Sequence, residues 1–137
     1  MHRLIEPTMQ QRKKFSITDR IRSFRFAFTG LADLILNEHN FRIHLFVFIL
    51  VLAAGFLFGI SPAEWIAVIV VSALVMISEA INTSLEQLAD LISPGQNEKV
   101  KKAKDMAAAA VLISALASVI AGLIIFLPYI CRMIRGS

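Results

Sequence analysis

Cysteine is nearly absent: Cys131 stands alone among 137 residues, so no intrachain disulfide can form. With Lys and Arg placed as loop and membrane-surface charge, only one Tyr and no Cys/His zinc spacing, a nucleic-acid partner is not expected. There is no Gly-x4-Gly-Lys-Ser/Thr loop and no kinase-type glycine loop, which excludes those two phosphate cradles. The largest gap is in positive charge, because no Lys or Arg falls between Ile43 and Glu98. The first long apolar run also begins near Ile43, too far in for a cleaved secretory signal.

What fills that gap is hydrocarbon. The chain is 57% apolar with a mean hydropathy of +0.70, too greasy for a small soluble domain and in the range of membrane proteins. Its length predicts one domain, placed at 16–130 between a basic, mobile segment 1–15 and a tail 131–137. From Ile17 to Leu36 the apolar residues Ile17, Ile21, Phe24, Phe28, Leu31 and Ile35 share one side, with Arg22, Arg25, Thr29 and Asp33 opposite. This predicts an amphipathic helix over 16–37, capped by Ser16 or Thr18 and lying in the membrane interface. Three spanning helices follow, at 41–60, 65–92 and 106–130. Ser61–Glu64 is expected as a tight connection, Trp65 as an interface anchor and the Lys99–Lys104 run as a basic loop. Small residues Ala107 to Ala110 open the third span and permit close helix approach.

Lys and Arg counts set the orientation. The N-terminal segment and the 93–105 stretch are basic and the 61–64 turn has neither, so the N-terminus and second connection are expected in the cytoplasm. Glu38, the acidic end of the second span and Lys104-Asp105 then share the cytoplasmic side. The fold expected is an all-α membrane protein: a surface helix plus three transmembrane helices.

The chemistry concentrates in Ile77 to Asp90. As a helix, this stretch puts Glu79, Asn82, Glu86 and Asp90 on one narrow stripe with Thr83 beside it. Carboxylates beside hydrocarbon are expensive unless a cation, a metal or a substrate meets them. Phosphoryl transfer from a nucleotide to a lipid alcohol would use such a set. Magnesium takes carboxylate oxygens together with substrate phosphates, so Glu38 and Glu86, on different helices, are candidate ligands. Glu79 lies deeper, where a lipid hydroxyl arrives, and is the candidate base, with Asn82 orienting the hydroxyl or a water. Lys104, the neighbouring lysines, Arg22 and Arg25 are candidate phosphate contacts. The same carboxylates also suit proton or cation translocation by a small non-enzymatic subunit, and spacing alone does not decide between the two. His39 and His44 read as interface residues, because no third ligand joins them.

Three stretches carry a resemblance: Asn37-Glu-His-Asn-Phe-Arg42, the run from Glu79 to Asp90, and Ala103-Lys-Asp-Met-Ala-Ala-Ala-Ala-Val111. The pattern Glu-x2-Asn-Thr-x2-Glu-x3-Asp followed by Ala-Lys-Asp resembles the bacterial diacylglycerol kinase and undecaprenol kinase family over about residues 20–130. The resemblance implies a homotrimer in the bacterial inner membrane that uses ATP and Mg2+, with sites at the cytoplasmic surface between protomers. It implies Glu79 as catalytic base, Glu38 and Glu86 as metal ligands, Asn82 in support, and Lys104 and Asp105 on the nucleotide. Two places depart from the family pattern. The arginine expected early in the surface helix falls by spacing on Asp19, leaving Arg20 or Arg22 for that role. Gly95-Gln-Asn97 replaces a Glu-Tyr-His found in some members, so the nucleotide contact is expected at Asn97. The run Asn40-Phe-Arg-Ile-His-Leu45 looks closer to the undecaprenol branch.

Overall fold

The computed structural model describes residues 16–95 and 97–136, so the expected mobile segment 1–15 lies outside the described residues. Four helices follow in order: α1 (Ile17–Asn37), α2 (His39–Phe58), α3 (Pro62–Ile92) and α4 (Glu98–Arg135). Contacts divide the chain after Ala32 into two units.

The first unit holds most of α1. Ser16 caps it, its Oγ accepting the Asp19 N–H at 3.2 Å. Phe24 and Phe28 stand two-thirds exposed and no residue of α1 is buried, which suits a helix whose apolar stripe meets an interface. Arg22 is an exposed residue of this helix.

In the second unit α2, α3 and α4 are each long and apolar enough to cross a membrane. This is the all-α architecture expected, with boundaries corrected by local chemistry. α2 begins at His39 rather than Phe41 and stops at Phe58, because Gly59 adopts φ +62 and returns its N–H to the Gly55 carbonyl. α3 begins at Pro62 rather than Trp65. Ser61 Oγ accepts the Glu64 N–H at 3.4 Å, Glu64 Oε2 accepts the Ser61 N–H at 2.7 Å, and Pro62 opens the first turn. The expected connection is therefore a capping box.

The larger correction concerns the lysine run. Asn97 Oδ1 accepts the N–H of Lys99 at 3.0 Å and of Val100 at 3.4 Å, and this cap starts α4 eight residues before the expected Met106. Lys and Ala are strong helix formers, so the expected basic loop is instead the first two turns of α4. At the far end α4 runs past the expected Ile130 to Arg135.

α3 packs against α4 and, less extensively, against α2. Ile60, Val68 and Ile125 are buried together, with Phe58, Trp65, Phe126 and Tyr129 around them. Gly55 makes room for this cluster, since a Cβ there would meet the Trp65 ring at 2.7 Å. Tyr129 Oη donates to Glu64 Oε2 at 2.9 Å and the Arg132 guanidinium lies 4.7 Å from the Tyr129 ring centre. The start of α3 is thereby tied to the end of α4. The remaining helix surface is mostly apolar and exposed, as expected where hydrocarbon is the solvent.

Candidate functional site

One face of α3 is buried: Val68, Ser72, Val75, Glu79 and Asn82 follow at alternating steps of four and three, and Ala89 comes two turns further on. The face changes character at Glu79. Glu79 as a residue is 2% exposed, and Asn82 and Thr83 are each 6% exposed. Asn82 Oδ1 has no hydrogen-bond partner among the described residues. Among the described residues Glu79 has no hydrogen bond or ion pair either. An unpaired buried acceptor costs about 1–3 kcal/mol and an unpaired buried charge more, so native proteins retain few of them. Two such groups one turn apart form an acceptor-rich pocket suited to a hydroxyl donor or a cation.

Above this pair the stripe becomes a charged rim. At 1.5 Å per residue, Glu86 lies about 10 Å and Asp90 about 16 Å along the axis from Glu79. Glu86 is half-buried and, among the described residues, unpaired. Glu38 sits between α1 and α2 in an extended conformation (φ −101, ψ 115), so the surface helix ends before it. Its Oε1 accepts from Gln87 Nε2 at 3.4 Å, which brings Glu38 against the turn of α3 that carries Glu86. Lys104 Nζ donates to Asp90 Oδ1 at 2.8 Å, joining α4 to the same end of α3. Lys101 pairs with Asp105 at 3.1 Å along α4. Asp90, Ser93, Asn97, Lys101, Lys104 and Asp105 line an open groove of about 550 Å³.

The structure thus gathers Glu38, Glu79, Asn82, Glu86, Lys104 and Asp105 at one end of the second unit. Asn97 has a use the sequence reading did not assign, because its Oδ1 caps α4. Two partners escaped sequence reasoning. Asp90, visible on the stripe, proves to hold Lys104. Gln87, the partner of Glu38, is 49 positions away from it and gave no local signal. His39 accepts from Arg42 Nη2 at 2.9 Å, and His44 lines a 240 Å³ cavity with Val47, Ser72 and Ala115.

No group of three or more His, Cys, Asp or Glu is placed to chelate a metal among the described residues. Two carboxylates, Glu38 at the α1–α2 junction and Glu86 on α3, neither in an ion pair among the described residues, fit magnesium instead, which binds through one or two carboxylates and completes its shell with water and substrate phosphate.

Residues 25–126 match the sequence profile of a family described as prokaryotic diacylglycerol kinase. A protein of Synechocystis sp. named diacylglycerol kinase is 40% identical over 107 residues, covering 77% of this chain and 61% of the relative. A Bacillus subtilis protein named undecaprenol kinase is 37% identical over 107 residues, covering 78% of this chain and 87% of the relative. A Sinorhizobium protein named diacylglycerol kinase is 34% identical over 83 residues, covering 61% of each. The chain thus spans about three fifths of the length of the two relatives named diacylglycerol kinase. The matched span takes in the buried acidic stripe, the Glu38 turn and the Lys104–Asp105 rim, and the chain belongs to the prokaryotic diacylglycerol kinase family.

Proposed function

We propose that the protein is a lipid kinase that transfers the terminal phosphoryl group of ATP, with Mg2+, to the hydroxyl of a membrane lipid alcohol. The observation that carries this reading is the buried, unpartnered pair Glu79 and Asn82 below a rim of paired and unpaired charges. A hydroxyl entering from the lipid supplies a proton donor to Glu79, and a water beside it can donate to Asn82 Oδ1.

The position of each residue supports a role in this reading. Glu79 takes the proton of the lipid hydroxyl as that oxygen bonds to the terminal phosphorus, and ADP leaves. Asn82, one turn above, can donate its amide N–H to the hydroxyl oxygen and accept at Oδ1 from a neighbouring water. Glu38 and Glu86 hold the metal, which when bound neutralises phosphate charge. Lys104 and Asp105 meet the nucleotide, and the amide nitrogen of Asn97 remains for a nucleotide contact once its oxygen has capped α4.

The protein is placed in the bacterial inner membrane with its N-terminus and site in the cytoplasm, on the charge counts above and because nucleotide is found there. The assembly we propose is a homotrimer. Only 11%, 28% and 6% of the three apolar windows are buried within one chain, which leaves helix surface for further copies as well as for lipid.

Undecaprenol and diacylglycerol are the alcohols to offer, since the relatives' names divide between them. Purified protein in micelles, given terminally labelled ATP and Mg2+, is expected to pass label to one of these lipids. Absence of label in the extracted lipid, for both alcohols, would overturn the proposal.

A further inference from the structure

The rim contains three charged groups that compete with one another. Glu86 and Asp90 are one turn apart on the same face of α3, and both carboxylates act on the Lys104 ammonium. Only Asp90 bonds it, at 2.8 Å, while Glu86 remains unpaired among the described residues. Asp90 is itself well exposed, with its side chain 69% accessible. An exposed ion pair of this kind contributes little to stability, so its main consequence is where it fixes the lysine.

We propose that Asp90 is a positioning residue: by holding Lys104 it keeps that cation off Glu86 and leaves the Glu86 carboxylate open to a divalent cation. The inference rests on the reading of Glu86 as a metal ligand. A lysine ammonium is a compact charge on a flexible four-carbon stem, and it settles on the best acceptor within reach. With Asp90 intact that acceptor lies one turn beyond Glu86. With the Asp90 charge removed, Glu86 is the next carboxylate on the stripe, and a Glu86–Lys104 pair occupies the oxygens that magnesium requires. A metal must then displace the lysine, and its apparent affinity falls by the strength of that pair. For pairs of this type the loss is about two- to fivefold.

The test reads metal binding and not turnover. Mn2+ is titrated by electron paramagnetic resonance into the full-length protein in micelles with a saturating, non-hydrolysable ATP analogue. Asp90→Asn is expected to weaken Mn2+ by about two- to fivefold, and Asp90→Glu to restore most of that loss. The decisive comparison is made in a Lys104→Met background, where no lysine remains to redirect, so adding Asp90→Asn is expected to change Mn2+ affinity little. If Asp90→Asn weakens Mn2+ equally in both backgrounds, Asp90 acts through its field alone and the proposal is overturned. No effect in either background overturns it too. If the unmodified protein binds no Mn2+ with the analogue, the metal-site reading fails first and takes this inference with it.

Discussion

The two ends of the second unit use the same residue types to opposite purposes. Where α2 passes into α3, Glu64 accepts from the Ser61 N–H and from the Tyr129 hydroxyl, and Arg132 stacks on the tyrosine. Toward the α4 end of α3, Glu79 and Asn82 Oδ1 are buried without a hydrogen-bond partner among the described residues, and Glu86 makes no hydrogen bond or ion pair among them. A carboxylate whose lone pairs are filled by its own protein has no further chemistry to do. One left unfilled must obtain its partner from outside. The first end therefore anchors the helices and the second is where a ligand completes the structure.

Substitutions break this contrast in a graded order. Glu79→Gln should lower phosphoryl transfer by about 10²–10⁴-fold, the usual worth of a general base, with nucleotide binding nearly intact. Loss of nucleotide binding in equal measure would place Glu79 among the binding groups. Glu86→Gln should weaken binding of the metal–nucleotide complex by about tenfold or more, read by titration with a fluorescent nucleotide and Mg2+. Turnover at saturating metal should recover much of its value.

The other end should respond in stability and not in turnover. Gly55→Ala pushes a Cβ into the Trp65 ring, and overpacking of this kind costs about 1–3 kcal/mol. A lowered midpoint in a detergent thermal melt, with residual activity per folded molecule unchanged, is the expected outcome. Tyr129→Phe removes one hydrogen bond to Glu64 and should give the smallest effect, a slight fall in the same midpoint and no change in transfer. A selective loss of turnover in Tyr129→Phe would join the two ends functionally and dissolve the contrast.

The acidic end was more legible in the sequence than the anchoring end. Helical periodicity alone put Glu79, Asn82 and Glu86 on one face, and along that face α3 buries Glu79 and Asn82 and leaves Glu86 half-buried. Charge counts placed Glu38 and Lys104 at the same end, and the Gln87 and Asp90 contacts draw both to α3. The start of α4 was misjudged because a lysine run reads as solvated loop, although Lys and Ala favour helix once Asn97 caps them. The capping box was present as Ser61-Pro-Ala-Glu64 but was masked by the turn tendency of Ser-Pro. Contacts such as Glu64 with Tyr129, 65 positions apart, depend on how helices pack and leave no trace in local pattern.

Thermal melts of Glu79→Gln and Glu64→Gln, measured side by side in the same micelles, test the contrast most directly. Glu79→Gln removes no hydrogen bond or ion pair made among the described residues, so it should melt close to the unmodified protein. Glu64→Gln loses charge-assisted bonds to Ser61 and Tyr129 and should melt below it. The reverse order, with Glu79→Gln the less stable protein, would show that Glu79 is held by a partner of its own and that the acidic end is a structural anchor.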